Sequence, residues 1–291
     1  MLQSNDLKGI FVPVVTPFTQ DGELDLPSFE RYLGQLLLHP LHGIVINGTT
    51  GEAPTVEWAE VEALFEVTRT VVQRLGVRMP IIVGTGTNDT RTTVRRTKAA
   101  GEWGADAVLV VTPYYSRPSE EGAFRHFQTV VETGMPLIAY EVPERTGIRL
   151  SAETMERILT LDGVIGLKDA TGGCDLLNAL VGRTAKPIMA GSDDIFARML
   201  RRGASGGLLA SAQFRTESFL EVYRLAANGL YDEAEAAFVK LLPLTRLLFR
   251  ETNPSPIKWM LAQSGILASD GVRLPLTPIS RPLQEELSAF L

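Results

Sequence analysis

The chain has almost none of the residues that staple or metallate a protein. Its one cysteine, Cys174, rules out a disulfide within the chain. Its three histidines, His39, His42 and His126, fall in an expected helix end, a loop and a helix, away from strand ends. Neither a metal nor a cofactor is expected. Basic runs are also missing. Arg95-Arg96 and Arg201-Arg202 are isolated pairs in a chain of net charge −6, so there is no footprint for nucleic acid. A small anionic substrate would have to be caught by one or two local groups. No apolar run approaches the roughly 20 residues that span a bilayer. The opening "MLQSNDLKG" lacks the basic-then-apolar pattern of a secretory signal, and a cytoplasmic protein is expected. No Walker A pattern exists, and "GTGTND" (84–89) lacks the third glycine of a dinucleotide fingerprint.

Short apolar runs, by contrast, are plentiful. Eight recur: Ile10–Thr16, Gly43–Asn47, Ile81–Gly84, Ala107–Thr112, Leu137–Tyr140, Val164–Leu167, Ile188–Ala190 and Gly207–Ala210. They are continuous, as suits strands covered on both faces. Stretches of helical period separate them, such as "SFERYLGQLLL" and "EWAEVEALFEVTRTVVQRL". Strand–helix alternation implies βαβ units and a parallel sheet, and eight units match an α/β fold of the (β/α)8 TIM-barrel type. A doubly wound sheet is the runner-up, and it would usually carry a phosphate-binding glycine fingerprint after its first strand. From Phe214 the strand signal stops, and residues 217–249 read as helical throughout. The expected organisation is a catalytic barrel, 1–213, with a C-terminal helical domain, 214–291, packed on it.

Barrel active sites gather at the C-terminal ends of strands. That rule selects Thr49, Thr50 and Glu52, Tyr114 and Tyr115, Tyr140 and Arg145, Lys168 and Asp169, and Ser192-Asp193-Asp194. The better reading of "GSDD" is a helix start, with Ser192 or Asp193 as N-cap and the negative charge on the helix dipole, not a magnesium site. Lys168 closes the run "GVIGLK". A buried ammonium there is either paired, for instance with Asp169 or Glu141, or neutral and nucleophilic. A strand neighbour points to the opposite face, so Asp169 is badly placed as a partner. A neutral lysine attacks a ketone to form a Schiff base, which acts as an electron sink. With no histidine at hand, Tyr140 is a natural proton shuttle, with Thr49 or Thr50 as relay. Each tyrosine has a plain alternative reading as a core residue with a satisfied hydroxyl.

Six stretches then fall into one pattern: "GTTGE" (48–52), "VTPYYSRPSEEG" (111–122), "YEVPERTG" (140–147), "GLKDATGG" (166–173), "TNPSPIKW" (252–259) and "RLPLTPI" (273–279). Together they resemble the dihydrodipicolinate synthase family of pyruvate-dependent class I aldolases, which includes N-acetylneuraminate lyase. The resemblance runs over nearly the whole chain, tail included. It implies an imine between Lys168 and pyruvate, with Tyr140 as proton shuttle. It implies that Thr49 links Tyr140 to Tyr115, which enters from a neighbouring subunit of a homotetramer built as a dimer of dimers. Thr50 and Leu208 would bind pyruvate, and Arg145 the carboxylate of aspartate semialdehyde, in the diaminopimelate route to lysine. Glu141 departs from the asparagine usual in these synthases. Its strand parity points it away from Tyr140. Arg145 favours the synthase over relatives that act on sugar acids. The competing readings are another pyruvate aldolase or a keto-sugar-acid dehydratase on the same scaffold, or a non-catalytic keto-acid sensor.

Regulated synthases bind lysine at the tight dimer interface through a histidine and a glutamate. Here Trp58 and Val61 stand on the first of the two helices concerned and Thr92 on the second, while Asn88 and Tyr114 remain. An ammonium desolvated without a carboxylate is poorly bound, and a tryptophan fills the space a ligand needs. Free lysine is therefore expected not to inhibit the chain at physiological concentration. Initial rates against lysine at subsaturating substrates check this, and a saturable sub-millimolar curve would refute it.

Overall fold

The computed structural model describes residues 1–291. Eight parallel strands close a barrel in sequence order: β1 (Gly9–Pro13), β2 (Gly43–Ile46), β3 (Ile81–Gly84), β4 (Ala107–Val111), β5 (Leu137–Glu141), β6 (Val164–Asp169), β7 (Ile188–Ala190) and β8 (Gly206–Leu208). The (β/α)8 expectation holds. Several ends move. β1 stops at Pro13, short of Thr16, whose hydroxyl instead donates to the Gly51 carbonyl at 2.7 Å. β5 and β6 run on to Glu141 and Asp169, so Lys168 lies within its strand.

The outer helices are α1 (Leu26–Leu36), α2 (Trp58–Leu75), α3 (Thr90–Trp103), α4 (Glu120–Val131), the short α5 (Pro143–Thr146), α6 (Ala152–Leu159), α7 (Asp175–Leu180), α8 (Phe196–Arg201) and α9 (Thr216–Ala227). Four begin on a side-chain N-cap. Asp25, Asp89, Ser119 and Ser151 each accept from the backbone N–H three residues on, satisfying a free donor of the first turn. α9 follows β8 and packs on β1, as α2, α3, α6 and α8 pack on the strands beside them, so a boundary at 213 falls between β8 and its own helix. The tail continues as α10 (Tyr231–Val239), α11 (Leu242–Leu248), α12 (Ser255–Gln263) and α13 (Arg281–Leu287). The stretch 217–249 is thus not helical throughout. It breaks at Gly229, whose φ of +79° lies in the left-handed region, and again at Lys240-Leu241.

Strand alternation divides the core. One layer lies between barrel and helices, and a second fills the barrel with Phe11, Val45, Ile82, Ile138, Tyr140, Met189 and Leu208. Tyr140 therefore points inward and Glu141 outward, as the parity argument required. Opposite them, Tyr140 registers with Lys168 and Glu141 with Asp169. An irregularity between Leu137 and Ile138 sets this register, next to Gly166. A Cβ at Gly166 would lie 2.4 Å from Leu7 Cδ2 and 2.8 Å from the Pro187 carbonyl, so only glycine fits.

One buried ion pair ties the tail to the barrel. Lys258 of α12 donates to Glu52 at 2.7 Å, and both side chains are inaccessible to solvent. Glu52 follows the 3-10 turn Thr49–Gly51 in a left-handed conformation, at φ +57°. Its second oxygen accepts from the Arg273 backbone N–H at 3.1 Å, and Arg273 pairs in bidentate fashion with Glu60 of α2 at 2.6 Å. Burial pulls the Lys258 ammonium below its ordinary range, and Glu52 opposes that pull. Removing one partner strands the other charge, which costs about 3–5 kcal/mol. Lys258→Met is therefore expected to lower the unfolding free energy by about that amount. Glu52→Leu/Lys258→Met should recover part of the loss, and urea denaturation of both variants measures it.

Candidate active site

A cavity of about 380 Å³ opens at the C-terminal end of the barrel, and Lys168 stands in its wall. Thr49, Thr50, Tyr140, Arg145 and Leu208 line the same space, so six of the seven expected site residues converge. Tyr115 does not line it. Its side chain is 89% exposed and its backbone is held at φ +67°, a left-handed conformation unusual for a tyrosine.

Lys168 is 94% buried, being 6% exposed, and no carboxylate lies within ion-pair distance of its amine. Its Nζ sits 4.4 Å from the centroid of the Tyr140 ring, its neighbour across the strand pair. Asp169 faces outward and is taken up by the Thr171 backbone N–H at 3.0 Å and hydroxyl at 2.7 Å. Glu141 is likewise occupied outside the barrel, accepting from Thr112 at 2.6 Å and from the Leu150 backbone N–H at 2.9 Å. Both paired-lysine readings therefore fail on geometry. Room for the lysine stem comes from Gly191, where a Cβ would lie 2.9 Å from Lys168 Cγ and Cε.

Asp193 corrects the helix-cap reading of "GSDD". Neither it nor Ser192 caps a helix through its side chain. The Asp193 carboxylate, fully inside, accepts from the Ser211 backbone N–H at 2.7 Å and from the Ser211 hydroxyl, beside β8. It lines the cavity within electrostatic reach of Lys168. Burial pushes it up to about 6, against the Ser211 bonds and the Lys168 charge.

The tail supplies a residue that sequence reasoning passed over. Asn253, at the start of the "NPSPIKW" segment, is buried and donates to Thr50 Oγ1 at 3.1 Å. Its own Oδ1 has no partner in the chain. Its only signal in the sequence was membership of a conspicuous motif, because nothing local ties residue 253 to residue 50. A second cavity of about 290 Å³ adjoins the first and shares Thr49, Tyr140, Arg145 and Asn253 with it. Tyr114 and Arg96 stand at its far side. The Arg96 guanidinium lies 5.1 Å over Trp58, which stacks on Trp103 at 4.9 Å.

Fold and site together define a (β/α)8-barrel protein centred on a buried, unpaired strand lysine. The family model for the dihydrodipicolinate synthetase family matches residues 6–291, and the chain belongs to that family. It is 39% identical to the 4-hydroxy-tetrahydrodipicolinate synthase of Herminiimonas arsenicoxydans, over 98% of this chain and 97% of that one. It also resembles the solved dihydrodipicolinate synthase of Acinetobacter baumannii complexed with pyruvate, at 36% identity and a TM-score of 0.92, covering 97% and 98% of the two chains. The enzyme of Cyanidioschyzon merolae with lysine bound matches at 28% identity and a TM-score of 0.93, covering 98% and 97%. No helix is long and apolar enough to cross a membrane.

Asp193 generates a prediction with a definite sign. Its folded value, about 6, lies above the ordinary 3.8, so between them the folded state holds a proton that the unfolded state has lost. Stability from this group is then greatest below 3.8 and falls as pH rises through that window. Asp193→Asn should flatten the fall, as thermal melts between pH 4 and pH 6.5, at about half-unit steps, would show.

Proposed function

We propose that the chain is a Schiff-base-forming lyase that condenses pyruvate with L-aspartate 4-semialdehyde to 4-hydroxy-tetrahydrodipicolinate, the entry to diaminopimelate and lysine. The observation that carries the reading is Lys168 itself, an amine buried against Tyr140 in a polar cavity with no carboxylate within ion-pair distance. Its lone pair attacks the keto carbon of pyruvate, and loss of water gives the imine. The imine draws electrons from the methyl carbon, a proton leaves, and the enamine carbon attacks the aldehyde of the second substrate. The substrate's own amine then attacks the imine carbon. Lysine departs with its electron pair, the ring closes, and the free amine is restored.

Tyr140 moves the protons of the carbinolamine steps. Thr49 relays them to Tyr115 of a second copy of the chain. An aromatic side chain 89% exposed at a left-handed backbone position supports a role outside its own site. The reading therefore includes a homotetramer made of two dimers, acting in the cytoplasm. Thr50 and Leu208 take up pyruvate, and Asn253 orients the Thr50 hydroxyl. Residues 214–291 serve as a helical domain of the same folding unit, since Asn253 and Lys258 both reach back to the barrel. Arg145 at the cavity wall binds the carboxylate of the semialdehyde through a planar fork of donors. Trp58, packed between Arg96 and Trp103, supports the absence of lysine control.

The test is capture. Pyruvate with borohydride should leave a reduced adduct on Lys168, located by peptide mass mapping. Lys168→Arg should lose most activity, because a guanidinium stays protonated. Arg145→Ala should raise KM for aspartate semialdehyde roughly ten- to a hundredfold and leave KM for pyruvate little changed. An adduct on another residue, or sugar aldehydes turned over in preference, would overturn the assignment.

A further inference from the structure

Glu141 ends β5 on the outer face, fully buried, with both carboxylate oxygens engaged. Oε2 takes the Thr112 hydroxyl just past β4, and Oε1 takes the backbone N–H of Leu150. These two partners are not equivalent. Thr112 belongs to the rigid barrel rim. Leu150 closes an arm, residues 143–150, that leaves β5, makes the single turn of α5 with Arg145 on it, and returns to α6. Inside the arm, the Thr146 hydroxyl donates to the Ile148 carbonyl at 2.9 Å. At its flank, Arg149 donates to the Thr171 carbonyl at 3.1 Å, in the loop after Lys168. The Arg145 guanidinium is exposed at the cavity wall and takes part in none of these bonds, so the arm's backbone sets the point from which it reaches.

Asp169 lies beside Glu141 in register, also buried, with Oδ1 bound to Thr171 and Oδ2 without a partner. Two desolvated carboxyls side by side disfavour the barrel's own stability, and only Arg149 offers both of them positive charge nearby. Packing alone would be better served by an uncharged side chain. What Glu141 supplies is reach: one residue that spans from the β4 rim to the far end of the Arg145 arm.

We propose that Glu141 is a positioning residue for Arg145: by locking Leu150 to Thr112 it sets where the arm holds the guanidinium over the Lys168 cavity, and so sets the fit of the second substrate's carboxylate. The inference rests on the reading of Arg145 given above. A small displacement of a clamp of this kind costs roughly ten- to a hundredfold in substrate use.

Three variants test it: Glu141→Leu, which loses both bonds; Glu141→Gln, which keeps the acceptor for Leu150; and Glu141→Asp, which keeps the charge but falls a methylene short. In Glu141→Leu, backbone hydrogen exchange over 143–150 should rise and KM for aspartate semialdehyde should climb roughly tenfold or more. KM for pyruvate and borohydride capture at Lys168 should stay near those of the unmodified chain. Glu141→Gln should behave like the unmodified chain in all four readouts. Glu141→Asp should follow the leucine variant, and it carries the test if the leucine variant does not fold. Combined with Arg145→Ala, Glu141→Leu should add no further loss. Unchanged exchange, a parallel rise in both KM values, or additive losses in the double variant would overturn the proposal. If the unmodified chain does not turn over the two substrates, the functional reading fails. The positioning role then stands or falls on the exchange difference between the leucine and glutamine variants.

Discussion

Glu52 and Lys258 form the one ion pair in the molecule whose two side chains are both closed to water, and the architecture of the site hangs on it. Each charge is tolerable only because the other is there. Glu52 follows directly on the turn that carries Thr49 and Thr50, and Lys258 of α12 stands five residues past Asn253. The pair therefore presses the tail against the loop after β2, and the bond from Asn253 to Thr50 is a consequence of that docking. Arg273 extends the constraint by holding Glu52 through its backbone and Glu60 through its side chain. The tail is in this sense part of the active site wall, contributing Arg246, Phe249 and Asn253 to the cavity.

Within the barrel a second constraint, strand parity, sorts chemistry from scaffolding. Two register pairs sit one residue apart: Tyr140 with Lys168 inside, and Glu141 with Asp169 outside. A slip of β6 by one residue would send the lysine into the helix layer and the Asp169 carboxyl into the cavity. Gly166 prevents the slip, because the close approach of Leu7 and Pro187 there admits no side chain. Gly191 does the matching work on the next strand's loop by leaving space for the lysine stem.

Much of this was open to inspection in the residue order. Continuous apolar runs announced buried parallel strands, and their number announced the barrel. A lysine ending such a run, with an outward-facing neighbour, is unusual on residue order alone. Glu141 could be assigned to the outer face by counting alone. Asp193 could not be read so well, because "GSDD" has the local chemistry of a helix start. The competing bond to Ser211 comes from the turn after β8, eighteen residues on. Asn253 was invisible as a site residue for the same reason, its partner being 203 positions away.

The sequence by itself determined the strand and helix periods and the outward sense of Glu141 and Asp169 beside their inward neighbours. All of these depend on neighbours within a few positions, where backbone geometry leaves few choices. Tertiary structure decided which residues meet: Lys258 with Glu52, Asn253 with Thr50, Asp193 with Ser211, and the Glu141 carboxylate with Leu150. Those contacts depend on how far each strand runs, where the tail docks and which buried charges must find a partner. Such quantities are set by the closure of the whole barrel and the cost of stranding a charge inside it, and no local stretch of chain encodes them.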